Sequence, residues 1–121
     1  MVQDVEQVLE DTDAFYYSVK KVHIDKELNA FVLNFFFENK SEVENIIGWE
    51  DVSVNDCMID PSFGNAIPAG KMAYSDIAFF GDLLAESEMT IEDIKKIEFT
   101  MYVMDTDAWE EVYRNTYTLN F

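Results

Sequence analysis

A chain of 121 residues, 49% of them hydrophobic and 15% aromatic, holds material for one domain with its own core, which excludes intrinsic disorder. Its 25 acidic against 8 basic side chains give a formal net charge of −17, which excludes nucleic acid and opposes anionic membrane surfaces as partners. The single cysteine, Cys57, excludes an internal disulfide, and no run approaches the ~20 apolar residues of a transmembrane helix.

In chain order, residues 1–13 are acidic, with Val5, Val8 and Leu9 as large apolar residues, a spacing that suits a short helix or a first strand. Such a stretch is peripheral to the domain. Residues 14–24 read as a strand in which Phe15, Tyr17 and Val19 share one face and Val22 and Ile24 take the opposite parity. The phase slips at Lys20-Lys21, as a β-bulge would make it. Residues 29–38 are the most hydrophobic stretch: Phe31, Leu33, Phe35 and Phe37 line one face, with Ala30, Val32 and Phe36 behind. A strand apolar on both sides is central in its sheet.

Residues 39–45 are a polar connection. A strand around Trp49, Val52 and Val54 follows, then Asn55-Asp56, a two-residue linker suited to a type I′ hairpin. Residues 57–59 return and stop at Asp60-Pro61. Residues 61–70 hold both prolines and two of the four glycines, and read as loop. A strand over residues 71–80 precedes a short helix over 81–87, and Thr90 with Asp93 suits an N-cap. Ile97, Phe99, Met101 and Val103 then alternate with Glu98, Thr100 and Tyr102. Residues 105–108 turn the chain, and Tyr117, Leu119 and Phe121 close it in period two, with Thr116, Thr118 and Asn120 outward.

About seven short strands at ~10-residue spacing describe an all-β, two-sheet antiparallel sandwich with a short helical insert. The alternative is an α+β fold with a curved antiparallel sheet, which requires residues 1–13 and 81–93 both to be helical. The expected core sets residues 31–37 against 97–103.

Asp51-Val-Ser-Val-Asn-Asp56, Ile67-Pro-Ala-Gly-Lys-Met-Ala-Tyr-Ser-Asp-Ile77, Ile97-Glu-Phe-Thr-Met-Tyr-Val103 and Asp105-Thr-Asp-Ala-Trp109 together carry a resemblance. They are similar to an uncharacterised family of immunoglobulin-like sandwich domains in exported or membrane-anchored proteins of gut Gram-positive bacteria. The resemblance covers residues 28–121 and departs at Asp56, where the family carries glycine. It implies an immunoglobulin-like fold and an extracellular setting, and no assigned activity.

Catalytic chemistry finds little material. A nucleophile needs a base, usually histidine, and His23 reads as a strand-edge residue. Cys57 reads as a buried, inert thiol. Four glycines supply no phosphate loop. Two Asp-x-Asp pairs, Asp11 with Asp13 and Asp105 with Asp107, raise the question of calcium, but neither has the glycine and terminal glutamate of a twelve-residue calcium loop. The plainer reading is a polar turn. Asn39-Lys-Ser41 matches a glycosylation sequon that carries no meaning in a bacterial protein. Tyr16, Tyr74, Tyr102 and Tyr113 sit at outward strand positions and are the candidates for a binding face.

The expectation is a non-enzymatic accessory or interaction module at a bacterial cell surface. It is a monomer, lipoprotein-like in setting, with a protein or glycan partner, no cofactor, and no direct insertion of the domain into membrane. The alternatives are a carbohydrate-binding domain or a small carboxylate-dependent hydrolase, and a cytoplasmic location. The acids are dispersed along the chain, a pattern that also fits a partner with a basic patch.

Overall fold

The computed structural model describes residues 2–59, 61 and 64–121, with side chains from residue 7 onward. Met1, Asp60 and the side chain of Val5, each drawn into the sequence reading, lie outside the described residues. Two antiparallel sheets pack face to face. One sheet carries β1 (Val2–Asp11), β2 (Phe15–Asp25), β3 (Ala30–Asn39) and β7 (Met72–Phe80), in the order β1-β2-β3-β7. The other carries β4 (Asn45–Val54), β8 (Lys96–Asp105) and β9 (Glu110–Asn120), with β5 (Cys57–Met58) and β6 (Gly64–Ile67) both on the free side of β4. Connections β3–β4, β6–β7 and β7–β8 cross between the sheets.

The core forms where alternation demands it. Phe31, Leu33, Phe35 and Phe37 of β3 are buried, as are Ile97, Phe99, Met101 and Val103 of β8. Phe35 meets Phe99 at 6.2 Å and Trp49 of β4 at 6.3 Å between ring centroids, so the two apolar faces interdigitate across the sandwich. β3 lies between β2 and β7, the central position its two-sided hydrophobicity predicts. The register of β2 on β3 shifts between Val19 and Lys21, so the slip in apolar parity is a bulge that lets both Val19 and Val22 reach the core.

The β7–β8 crossing holds the helix α1 (Gly81–Ala85), anchored by buried Leu84, and a 3₁₀ turn over Ile91–Asp93. Thr90 and Asp93 stand as a capping box there: the hydroxyl and backbone amide of Thr90 both donate to the Asp93 carboxylate, and the Asp93 amide donates to the Thr90 carbonyl. The Gly81 amide donates to the Asn29 backbone carbonyl at 2.7 Å, and a Cβ at Gly81 would make the Asn29 side-chain amide move aside.

Three expectations change. Residues 61–70 are not all loop: β6 pairs with β4 from Asn45↔Ile67 to Gly48↔Gly64, because the free edge of β4 offers ladder partners and Ile67 is buried there. The strands number nine among the described residues, the two additions being β6 and β1, which pairs along β2 with two register shifts. Cys57 is exposed, since its two-residue strand lies at the sheet rim with a neighbour on one side only.

Candidate functional site

The four tyrosines read as outward go to different places, and Tyr113 is not outward: it lies opposite buried Val103, on the core-facing side of β9. Tyr16 and Tyr74 share the outer face of the four-stranded sheet, and Phe36 of β3 stands between them. Tyr16 to Phe36 is 5.8 Å and Phe36 to Tyr74 is 5.0 Å, so three rings cross β2, β3 and β7 as a continuous row. Cross-strand pairing makes this row: Ser18↔Phe36 and Phe36↔Tyr74 are directly opposite, and side chains at opposite positions lie on the same face. Tyr74 is 78% exposed and Met72, two residues earlier, 63%.

Cations already sit on this row. The Lys20 ammonium lies 5.5 Å from the Phe36 centroid and the Lys40 ammonium 5.8 Å from that of Tyr16, within cation–π range. Lys40 is also tied to Asp11 at 2.9 Å, a contact that raises its pKa. Beside the row, Ser18 is fully buried and its Oγ has no hydrogen-bond partner among the described residues. At the middle of the sheet, the Asn34 amide donates to Asp76 of β7, and Asn34 Oδ1 lies 3.2 Å from Nδ1 of His23. His23 therefore serves the polar part of this face.

Tyr102 and Tyr113 serve structure elsewhere. Tyr102 covers Gly48 on the outer face of the second sheet, where a Cβ would come within 2.6 Å of its hydroxyl. Arg114, ion-paired to Glu50 and Glu111, stacks over its ring. Tyr113 turns toward the joint between the sheets, packs edge-on against Phe15 at 5.0 Å and donates to Glu10.

Glu10 of β1 organises that joint. Its Oε1 accepts from the Tyr113 hydroxyl, from the Tyr117 hydroxyl at 2.9 Å and from the Asn115 amide at 3.3 Å. The Tyr17 and Tyr117 hydroxyls are 2.9 Å apart. Burial alone would raise the Glu10 pKa, but the bonds from Tyr113, Tyr117 and Asn115 outweigh it and hold the carboxylate below its ordinary value. Burial pushes the three tyrosines the other way, so all stay protonated as donors. This is a clamp joining edge strand β1 to edge strand β9. Residue spacing could not reveal it, because Glu10 and Tyr117 meet only through the tertiary fold.

The remaining candidates resolve as turn chemistry. Asp105 Oδ1 accepts from the amides of Asp107 and Ala108, closing the β8–β9 turn on itself. Thr12, between Asp11 and Asp13, accepts from the amides of Ala14 and Phe15. Among the described residues no three His, Cys, Asp or Glu side chains gather into a group that could hold a metal ion. Asn39 is fully buried, its Nδ2 donating to the carbonyls of Val43 and Ile67 and its Oδ1 accepting from Ser41 and Asn45. Its amide nitrogen is thus committed to the fold. A hollow of ≈ 280 Å³ opens between Ile24, Phe31, Ile91, Ile94 and Phe121, with Glu92 and Lys95 at its rim.

Among the described residues, no helix is long and apolar enough to cross a membrane. No protein-family model matches the chain, and neither does any curated protein. Solved structures do share its architecture. The yjhA protein from Bacillus subtilis is similar at a TM-score of 0.52 and 13% identity, over 97% of this chain and 99% of that one. A FixG-related protein from Vibrio parahaemolyticus follows at 0.49 and 9%, over 90% of this chain and 97% of that one. The GAE domain of yeast GGA1 stands at 0.48 and 9%, over 96% and 97%. At 13% identity the likeness to the Bacillus subtilis protein is one of fold, and the fold of this chain is an immunoglobulin-like antiparallel sandwich.

Proposed function

We propose that this domain is a non-enzymatic interaction module that engages a partner protein through the outer face of its four-stranded sheet, at a bacterial cell surface. One observation carries the reading: the row Tyr16, Phe36 and Tyr74, continued by exposed Met72, is an aromatic surface outside the core. Aromatic and methionine side chains are the residues enriched at protein interfaces, and here they stand side by side on one sheet face, whereas the exposed Met58 and Trp109 stand singly, on the two-residue strand β5 and in the β8–β9 turn. The surface setting rests on the sequence resemblance to exported sandwich domains.

Ring geometry favours a protein over a glycan. Phe36 is tilted by 63° from Tyr16 and by 52° from Tyr74, and lysines occupy the faces of Tyr16 and Phe36, so the row forms no flat platform for a sugar ring. Hydrolysis of a glycosidic bond needs two carboxylates across a cleft. The hollow at Phe31 and Phe121 is lined by one, Glu92.

A photo-crosslinking residue placed at Tyr74, expressed in the source cells, should capture a discrete protein, and the same residue at Val112 on β9 should not. Capture of glycan alone, or equal capture from both positions, would sink the reading. Fractionation of those cells tests the setting separately, with the chain expected outside the cytoplasm.

A further inference from the structure

The four-stranded sheet ends on β7, and among the described residues no strand pairs with the outer side of β7. Among the described residues, the backbone hydrogen bonds of turns, loops and caps do not involve residues 72–80 either. An edge of this kind presents a row of free N–H and C=O groups, which proteins normally blunt with charge, proline, bulges or shortness. The other edges are blunted. β1 carries two register shifts, at Asp4/Gln7 and Val8/Glu10, and several acids. β9 has a shift opposite Val103/Met104 and brings Glu110, Glu111 and Arg114. β5 has two residues and β6 four.

β7 has none of these devices. Its nine residues pair with β3 without a shift, from Ala30↔Phe80 to Glu38↔Met72. Asp76 is its one charge, and it contains no proline, lysine or glycine. Nine residues make about 30 Å of straight edge. Its outward side chains are Met72, Tyr74, Asp76, Ala78 and Phe80, all of them exposed but the half-buried Ala78.

A second copy is a poor occupant. Antiparallel self-pairing in full register centres on the middle residue of the strand and would set Asp76 against Asp76, within two chains of −17 each. An extended segment bearing lysine or arginine fits instead. A cation opposite Asp76 is attracted, and its neighbour two residues away reaches Tyr74. Phe36 and Tyr16 each carry an ammonium, and Tyr74 is the ring of the row that carries none among the described residues.

We propose that β7 is a strand-acceptor edge, which takes an extended basic segment of a partner protein as a fifth strand of the sheet. This rests on the interaction-module reading and names its partner class. Backbone pairing supplies affinity, while Asp76 and Tyr74 select cationic side chains on the outer face. The net charge of −17 steers the basic segment in and keeps bare edges of two copies apart.

The test uses the whole domain, isotope-labelled for NMR, and a synthetic peptide of alternating lysine and valine. A control peptide of equal charge has every second amide N-methylated, so that it cannot pair. The first peptide should bind about tenfold more tightly than the second and slow hydrogen exchange at alternate amides of residues 72–80. Tyr74→Lys, at an exposed position, should weaken binding about tenfold without changing the melting temperature. Equal binding of both peptides overturns the proposal, as does a dimer in sedimentation that Tyr74→Lys dissolves. Shifts at Tyr16 and Phe36 without protection of β7 amides overturn strand addition while leaving the interaction reading intact. Protected β7 amides with no protein crosslinked at position 74 would do the reverse.

Discussion

Glu10 accepts three hydrogen bonds at the joint of the sheets, and its carboxylate is held below the ordinary 4.5 because those bonds outweigh burial. The unfolded chain therefore takes up the proton more readily than the folded one. The stabilisation is complete above about 4.5 and is lost as pH falls through the lower folded value. Glu10→Gln should cost about 1 kcal/mol at neutral pH, the low end for charge-assisted bonds because the site is open to water. Urea unfolding should show that difference shrinking near pH 3; a gap unchanged by acid would mean the charge contributes nothing. Asn39 is a harder dependency, with four partners buried around it. Asn39→Ala leaves the Ile67 carbonyl and the Asn45 amide unsatisfied, and should cost about 2–4 kcal/mol in denaturant unfolding. The sequence showed Asn39-Lys-Ser41 as a sequon without meaning, and only the fold reveals why asparagine stands there.

At the scale of the element, the hairpin between β4 and β5 separates two residues the sequence reads alike. Asn55 and Asp56 both have positive φ, 49° and 70°, as a type I′ turn requires. Asn55 does more than turn: its Oδ1 accepts from the amides of Lys95 and Lys96, and its Nδ2 donates to the Asp93 carbonyl. Asp56 contributes an exposed ion pair with Lys96. Asn55→Ala should therefore destabilise by about 2 kcal/mol, and Asp56→Gly should raise stability by up to about 1 kcal/mol by relieving left-handed strain. Thermal melts of the two variants check both; a loss of stability in Asp56→Gly would show that the ion pair outweighs the strain. Strands β3 and β8 were legible because each buries a full alternate set, and the bulge in β2 was legible as a slip of parity. β6 was not, since Gly64-Asn-Ala-Ile has no alternation of its own and becomes a strand only by lying against β4. Cys57 was misread because burial at a sheet rim depends on what lies beyond it.

For the whole molecule, −17 on 121 residues means that folding concentrates like charge. Raising sodium chloride from about 10 mM to about 200 mM shortens the Debye length from about 30 Å to under 10 Å, and the melting temperature should rise with it. Calorimetry across that range checks this, and a flat or falling midpoint would mean that the Lys40, Lys96 and Arg114 ion pairs outweigh the repulsion. The same charge bears on the edges of the sandwich. A regular, apolar edge such as β7 invites aggregation in a neutral protein, and here mutual repulsion opposes it.

The sequence by itself determined the fold class, the core and the turns, because period-two burial and left-handed turn residues are local properties. It also supplied Tyr16 and Tyr74 as candidates. Tertiary structure decided which candidates meet. Phe36, read as the back of a core strand, became the middle of the aromatic row only because β3 lies between β2 and β7. Tyr113, read as outward, shares the parity of Tyr117 and Leu119 and pairs with buried Val103, so it faces the core side, where it meets Glu10. Whether an edge is open or paired depends on strand order, which residues tens of positions apart settle together.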